Sequence, residues 1–435
     1  MNHFRFAAAE LIRAGFSNWR QTLLAAAEVT FNEVVYLNNN DLTYPNDPFP
    51  NRLYAGAERV VPFSGKQDLE TLADFHRQHR SHLVGYVGYE VKNQLESLQS
   101  RHVDLLGFPA IWFMEPIYLI DFEEDAIVVW TKMANAGLWA DWLTYPGTLP
   151  GLVTPPTVPG TVQARVTETD YVAAVQHIRS LIEAGDVYEL NYCIEFFARD
   201  VQLNPVEAYQ ALCQRSPMPF SVFLKQQSRY VLGASPERFL KKTGRRLVSQ
   251  PIKGTIRRGQ TVGEDEALKS QLRNSEKEQA ENLMIVDLVR NDLARSAETG
   301  SVQVDELFGI YTFQQVHQMI STVSATARAD CSLADVIGNA FPMGSMTGAP
   351  KIRAMERIDE LEASRRAVYS GAIGYITPAG DFDFNVVIRS LLYDASSRYA
   401  SFTVGSAITY DADPVQEYAE CLLKARAMRA VLEGE

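Results

Sequence analysis

Between Tyr188 and Phe196 apolar and polar residues alternate: Tyr188, Leu190, Tyr192, Ile194 and Phe196 against Glu189, Asn191, Cys193 and Glu195. Side chains on a strand point alternately to its two faces, so this spacing predicts a strand with one apolar face. Just upstream, Val172, Val175, Ile178, Leu181 and Ile182 recur at helical spacing; Thr169 or Asp170 can cap that helix, and Gly185 ends it. Phe220–Leu224 and Tyr230–Ala234 flank a short polar link and read as a hairpin that delivers Glu237 to its end. Further strands are predicted at Ser370–Thr377, Phe382–Arg389 and Ala400–Val404. Two long helices complete the pattern. One begins at Ser275, with Glu278 three residues on in a capping-box arrangement, and runs to about Ala294. The other begins at Asp413-Pro414, an N-cap followed by proline at the first helical position, and runs to about Leu432. Strands and helices come in mixed order with hairpins, which fits an α+β fold better than a regular parallel βαβ array.

The pattern breaks at Pro146–Gly160, where five prolines and three glycines exclude helix or central strand. The break separates an N-terminal segment, 1–145, from a more regular segment, 165–435, across a Pro/Gly-rich linker at 146–164. Composition adds exclusions. A formal charge of −12 argues against a nucleic-acid or anionic-membrane partner, because either requires a basic face. If the substrate is an anion, positive charge has to be gathered locally. The four cysteines are scattered and none forms CxxC, so no disulfide framework is expected. The N-terminus lacks the apolar core of a signal peptide and no apolar run approaches membrane-spanning length, which predicts a cytoplasmic protein.

Candidate chemistry centres on Pro251-Ile252-Lys253-Gly254-Thr255-Ile256-Arg257-Arg258. The spacing puts Lys253 at a turn, where the two arginines disfavour its protonation and partial burial acts the same way. Such an amine is either a neutral nucleophile or part of a basic surface turn. Glu237 stands sixteen residues earlier. On the two long helices, Glu278 and Glu281 share one face, as do Glu417 and Glu420. Like charges at this spacing disfavour a helix by a few tenths of a kcal/mol. Brought together, the pairs could hold a hard cation such as Mg²⁺; alone, each glutamate also has a plain role as a cap or as a partner of Lys277 or Lys424. The stretch GSMTGAPK at 344–351 offers backbone amides to an anion, but its spacing and Ile352 depart from a nucleotide-binding P-loop. Arg389, at a strand end, could fork onto a carboxylate or form a structural ion pair. His76, His79 and His82 sit among arginines and read as a solvated helix face.

These segments together resemble the chorismate-utilising enzyme family. The resemblance spans about 165–430 and rests on SPERF at 235–239, PIKGT at 251–255, SEKEQAENLMIVDLVRNDL at 275–293 and VHQM at 316–319. It continues through GSMTGAPKIRAM at 344–355, YSGAIGY at 369–375, FDFNVVIR at 382–389 and VGSAITYDADPVQEYAE at 404–420, while GYVGYE at 85–90 resembles a motif of the family's N-terminal part. It implies a two-lobed body of two large packed β-sheets with helices outside and one active site between the lobes. It also implies Mg²⁺ bound directly by Glu281 and Glu420, supported by Glu278 and Glu417, holding the ring carboxylate of chorismate. Tyr369 and Arg389 match residues at the enolpyruvyl carboxylate. Gly254, Thr255, Thr347 and the Gly405-Ser406-Ala407 backbone match the ring-lining positions, and His317 matches a histidine near the ring. Glu237 matches the general acid at the C4 hydroxyl.

Within the family the lysine discriminates. Members that form anthranilate read PIAGT, whereas para-aminating members read PIKGT, as here. The resemblance therefore implies that Lys253 attacks C2, that ammonia then attacks C4 and expels the lysine, and that the product is 4-amino-4-deoxychorismate, on the route to p-aminobenzoate and folate. No Gly-x-Cys-x-Gly elbow occurs, so a separate glutamine amidotransferase subunit is implied as the ammonia source. Isochorismate- and salicylate-forming members carry a lysine base at the position of Glu189, and amidating members usually carry glutamine there; this chain departs from both. The other readings are an anthranilate-forming enzyme that has acquired the lysine, then an isochorismate-forming one. A non-enzymatic regulator that binds chorismate or an amino acid is the reading from a different class.

Overall fold

In a computed structural model, residues 1–13, 18–150 and 157–435 are described; the central part of the Pro/Gly-rich linker, 151–156, lies outside them. The chain builds one connected network of antiparallel strands that forks at the long strand Ile111–Phe122. One branch runs from that strand through Arg52–Val60, Glu33–Asn38, Phe220–Gln226, Arg229–Ser235, Ser390–Asp394 and Tyr399–Ile408 to Glu189–Ala198. The other runs through Leu83–Val87, Ala372–Ile376, Phe382–Asn385, Arg238–Thr243 and Arg246–Gln250 to Val316–Thr326, which also pairs with Ile252–Arg257 and Gln303–Thr312. This is the α+β arrangement of two large sheets with outer helices that the sequence led us to expect. Segments before and after the linker alternate within both branches: Glu33–Asn38 pairs with Phe220–Gln226, and Leu83–Val87 with Ala372–Ile376.

The predicted hairpin is present, with Phe220–Gln226 and Arg229–Ser235 in register. Both long helices begin where their caps require. Ser275 accepts the Glu278 amide ahead of Glu276–Ala294, and Asp413 accepts the Val415 and Gln416 amides ahead of Pro414–Glu433. Four expectations need correction. The helix Glu168–Glu183 is capped by Thr167, whose hydroxyl accepts the Asp170 amide, rather than by Thr169 or Asp170. The strand Glu189–Ala198 is buried on both faces, because its polar face packs against protein and cavity instead of water. The strand predicted at Phe382–Arg389 ends at Asn385; beyond it the backbone bends to bond Glu237 and Gly371, and Arg389 takes φ +50°. Lys253 lies within the strand Ile252–Arg257, not at a turn.

Among the described residues, no helix is long and apolar enough to cross a membrane.

Candidate active site

The two branches meet between Ser235 and Arg238, where the chain leaves the last hairpin strand of one branch and enters a strand of the other. Glu237 sits at this crossing. Its backbone carbonyl accepts the Val386 amide at 3.0 Å, and its carboxylate accepts the Ser345 hydroxyl at 2.8 Å. Burial pushes the carboxyl up to about 7, against the opposing pull of the Ser345 hydrogen bond and the Lys253 charge. At neutral pH a large fraction of Glu237 is therefore a carboxylic acid able to donate a proton.

Glu237 faces a cavity of about 1080 Å³, and Lys253 lines the same space. The register of Ile252–Arg257 shifts at this point, and Gly254 takes φ +95°. A Cβ on Gly254 would stand 3.0 Å from Glu278 Oε2, so glycine is what lets the bulged strand pass this close to the glutamate helix. Asn282 secures the strand from that helix by donating to the Lys253 carbonyl at 3.4 Å.

The Lys253 amine donates to Glu189 Oε1 at 3.0 Å and lies 4.0 Å from Glu281 Oε2. Desolvation works to lower its pKa, but the carboxylates of Glu189, Glu281 and Glu420 outweigh it and hold the value above that of an ordinary lysine. The sequence suggested the opposite influence from two arginines. Arg257 instead pairs with Glu264 and Arg258 with Asp265, and both partners belong to the helix Val262–Arg273. Lys253 of the unliganded protein is a cation.

Across the cavity stand Glu278 and Glu281 on one helix and Glu417 and Glu420 on the other. Burial raises the pKa of Glu278, Glu281 and Glu417; at Glu420 burial acts the same way, but Lys424 wins and lowers it. Burial disfavours the charged form of these three carboxyls, a cost that a bound cation would relieve, and an all-oxygen donor set of this kind suits Mg²⁺. Among the described residues these groups do not converge as a ready-made metal cluster. Lysines sit against them instead: Lys277 is 3.7 Å from Glu281, and Lys424 is 2.7 Å from Glu420.

Arg389 and Tyr369 line another wall of the cavity. Burial lowers the Arg389 pKa, and no carboxylate among the described residues pairs with it. A desolvated guanidinium without a counter-ion favours an anionic ligand. Gly254, Thr255, Gly405 and Ala407 also line the cavity, whereas His317, Thr347 and Ser406 are buried behind its lining. Strand alternation explains His317: Val316 and Gln318 face the cavity, so His317 points the other way, onto Asp265 at 2.9 Å. Ser406 likewise points away from Gly405 and Ala407, to the Tyr171 hydroxyl at 2.9 Å. Thr347 turns its hydroxyl back onto the Met343 carbonyl and accepts the Asn191 amide on its own carbonyl. The three histidines do not form the solvated helix face expected of them: the helix Asp68–His79 ends before His82, all three are half-buried, and His76 and His79 are engaged with Thr377 and Arg59.

Sequence reasoning did not assign Glu189, Ser345 or Asn282 to the site. Ser345 and Asn282 lie inside motifs quoted for the resemblance, and Glu189 was visible as a departure at a known position. What tied them to Glu237 and Lys253 was pairing across the fold.

The profile of the chorismate binding enzyme family matches residues 40–430. The aminodeoxychorismate synthase of Streptomyces griseus is 40% identical over 367 residues, covering 80% of this chain and 50% of that protein. The aminodeoxychorismate synthase component 1 of Bacillus subtilis is 33% identical over 362 residues, covering 80% of this chain and 76% of that protein. This chain thus spans about half the length of the Streptomyces relative and three quarters of the Bacillus one. Among solved structures, anthranilate synthase component I from Streptococcus pneumoniae superposes with a TM-score of 0.77 at 27% identity, covering 89% of this chain and 93% of that one.

Proposed function

The chain belongs to the family of chorismate binding enzymes, and from that premise we propose that it aminates chorismate at C4. It acts as the synthase component of an aminodeoxychorismate synthase, in the cytoplasm, on the route to p-aminobenzoate and folate. The observation that carries this reading is the pairing, in one cavity, of the Lys253 amine with Glu237, a carboxyl pushed up to about 7. An anthranilate-forming site needs no such amine.

Arg389 and Tyr369 hold the enolpyruvyl carboxylate, and Gly254, Thr255, Gly405 and Ala407 wall the ring. Mg²⁺ bound by Glu281 and Glu420, with Glu278 and Glu417 in support, would hold the ring carboxylate and offset its charge. Thr347, Ser406 and His317 act one layer back, fixing the segments that form the wall.

Lys253 has to lose a proton before it can attack, and Glu189 Oε1, 3.0 Å away, is the acceptor in reach. The neutral amine forms a bond to C2 as both ring double bonds shift round the ring toward C4, and the C4 oxygen leaves as water with the proton of Glu237. Ammonia then attacks C4, both double bonds shift back, the C2–N bond breaks, and the amine departs neutral. Glu237 takes the surplus proton from the new ammonium, and Lys253 recovers its own from Glu189. Atoms and charge balance as chorismate plus ammonia giving 4-amino-4-deoxychorismate plus water. A separate glutamine amidotransferase supplies the ammonia; the "component 1" in the name of the Bacillus relative supports a second subunit.

The test is product identification after incubation with chorismate, Mg²⁺ and ammonium. 4-Amino-4-deoxychorismate is expected. Anthranilate or isochorismate would overturn the reading, and chorismate recovered unchanged would favour a regulator.

A further inference from the structure

Strand alternation places Gln318 on the cavity face of Val316–Thr326. Strands on both sides hold it there, with Thr255 opposite on one neighbour and Tyr311 on the other. The residue is 1% exposed, yet its carboxamide oxygen accepts no hydrogen bond. Other buried polar atoms are also unpartnered, among them the Tyr44, Tyr54 and Tyr89 hydroxyls. Among the described residues, Gln318 Oε1 is the one such atom whose residue lines the active-site cavity.

A buried acceptor without a donor is costly in the free protein, and a ligand that brings a donor relieves the cost. The two substrates decide which donor that is. Chorismate carries two carboxylates, an ether oxygen and one hydroxyl, so its hydrogen-bond donor is the hydroxyl on C4. Ammonia is the other donor, and it too acts at C4. An acceptor in this cavity therefore reads the carbon at which the reaction exchanges oxygen for nitrogen.

Its position agrees with that role. The Ile252 backbone amide opposes the rise of the Glu237 carboxyl, so Glu237 reaches the cavity beside Ile252. Ile252 pairs with Ile320, and Gln318 lies two residues along from Ile320 on the same face, about 7 Å away. The acid that protonates the C4 oxygen and the carboxamide thus stand at neighbouring points of one sheet. The carboxamide is also neutral. A carboxylate here would push Glu237 up further and a cation would pull it down. His317, which the resemblance puts near the ring, points away onto Asp265; Gln318 holds the face toward the cavity.

We propose that Gln318 recognises the C4 substituent: its carboxamide oxygen accepts the O–H of bound chorismate and, after that oxygen has left as water, an N–H of ammonia. Accepting an N–H orients the nitrogen and leaves its lone pair to attack C4. No bond to Gln318 forms or breaks. The inference rests on the amination reading above and assigns it a contact that the motifs did not.

The test separates the contact from the chemistry. In a Lys253→Ala background, which forms no bond to C2, affinities are measured with Mg²⁺ for chorismate and for an analogue with hydrogen in place of the C4 hydroxyl. With Gln318 in place, chorismate should bind about ten-fold more tightly than the analogue. With Gln318→Met the two should agree within about two-fold, whereas Gln318→Glu, which keeps an acceptor and loses the donor, should retain the preference. With Lys253 intact and ammonium chloride as nitrogen source, Gln318→Met should raise KM for ammonia about five-fold. Its melting midpoint should equal or exceed that of the parent, because an unpaired buried acceptor is removed. A hydroxyl preference that is absent with Gln318 or persists with Gln318→Met, a Gln318→Glu chain that loses it, an unchanged KM for ammonia, or a midpoint lowered by several degrees would overturn the assignment. Absence of aminated product from the wild-type chain would instead refute the functional reading, and the binding comparison would still decide the hydroxyl contact.

Discussion

Two buried cation–carboxylate pairs in this molecule have opposite characters. Arg238 and Asp383 are 0% and 1% exposed, and Lys253 and Glu189 are 14% and 4% exposed. Arg238 forks onto both oxygens of Asp383 and also donates to Gln250 and to the carbonyls of Pro45, Asn46 and Asp47. The Tyr44 and Phe220 rings close over its guanidinium. Its donors are spent on protein, and that ties the sheet to the loop around residue 46. Lys253 has one short bond to a carboxylate, a second carboxylate at 4.0 Å, and a cavity in front of it. Burial is similar; satisfaction is not. A saturated buried pair holds structure, whereas an unsaturated one facing empty space is available for chemistry.

The comparison breaks most sharply at Lys253. Lys253→Ala should lose nearly all C4 amination while shifting Tm by no more than about 3 °C, checked by product assay and thermal melting. Equal losses of activity and stability would make Lys253 a second Arg238. Next come Glu281→Gln and Glu420→Gln, each expected to abolish turnover without unfolding, since each removes a charge from the cation site facing Lys253. Near-native rates at ordinary Mg²⁺ would return that glutamate to a helix-surface role.

Glu237 sharpens the contrast through pH. It works as an acid, and its raised value keeps it protonated below about 7. The catalytic efficiency, kcat/KM, should therefore be high on the acid side and fall as pH rises through that value. Glu237→Gln should erase this limb and slow the reaction about 10²–10⁴-fold. The smallest effect on chemistry is expected at the structural pair. Arg238→Met strands Asp383 and should cost about 3–5 kcal/mol in denaturant unfolding, while the folded fraction keeps its kcat.

How much of this was readable beforehand depended on the range of the interaction. Ser275, Asp413 and the paired glutamates were legible because caps and i,i+3 spacing are local, and the hairpin brought Glu237 to its place for the same reason. The Lys253–Glu189 bond was not, because its partners lie in different branches of the sheet network. Arg257 and Arg258 looked like neighbours of Lys253 in sequence, yet each found a carboxylate on the following helix that ended its influence. His317 could have been corrected from strand alternation alone, since Val316 and Gln318 take the cavity face.

The central claim is that Lys253 is a nucleophile rather than an electrostatic anchor. The most direct measurement is intact-protein mass spectrometry after incubation with chorismate and Mg²⁺ in the absence of ammonia, followed by peptide mapping. The account predicts a substrate adduct on Lys253 that disappears when ammonia is added and never forms on Lys253→Ala. An adduct mapped to another residue, or an alanine variant that aminates chorismate undiminished, would contradict it.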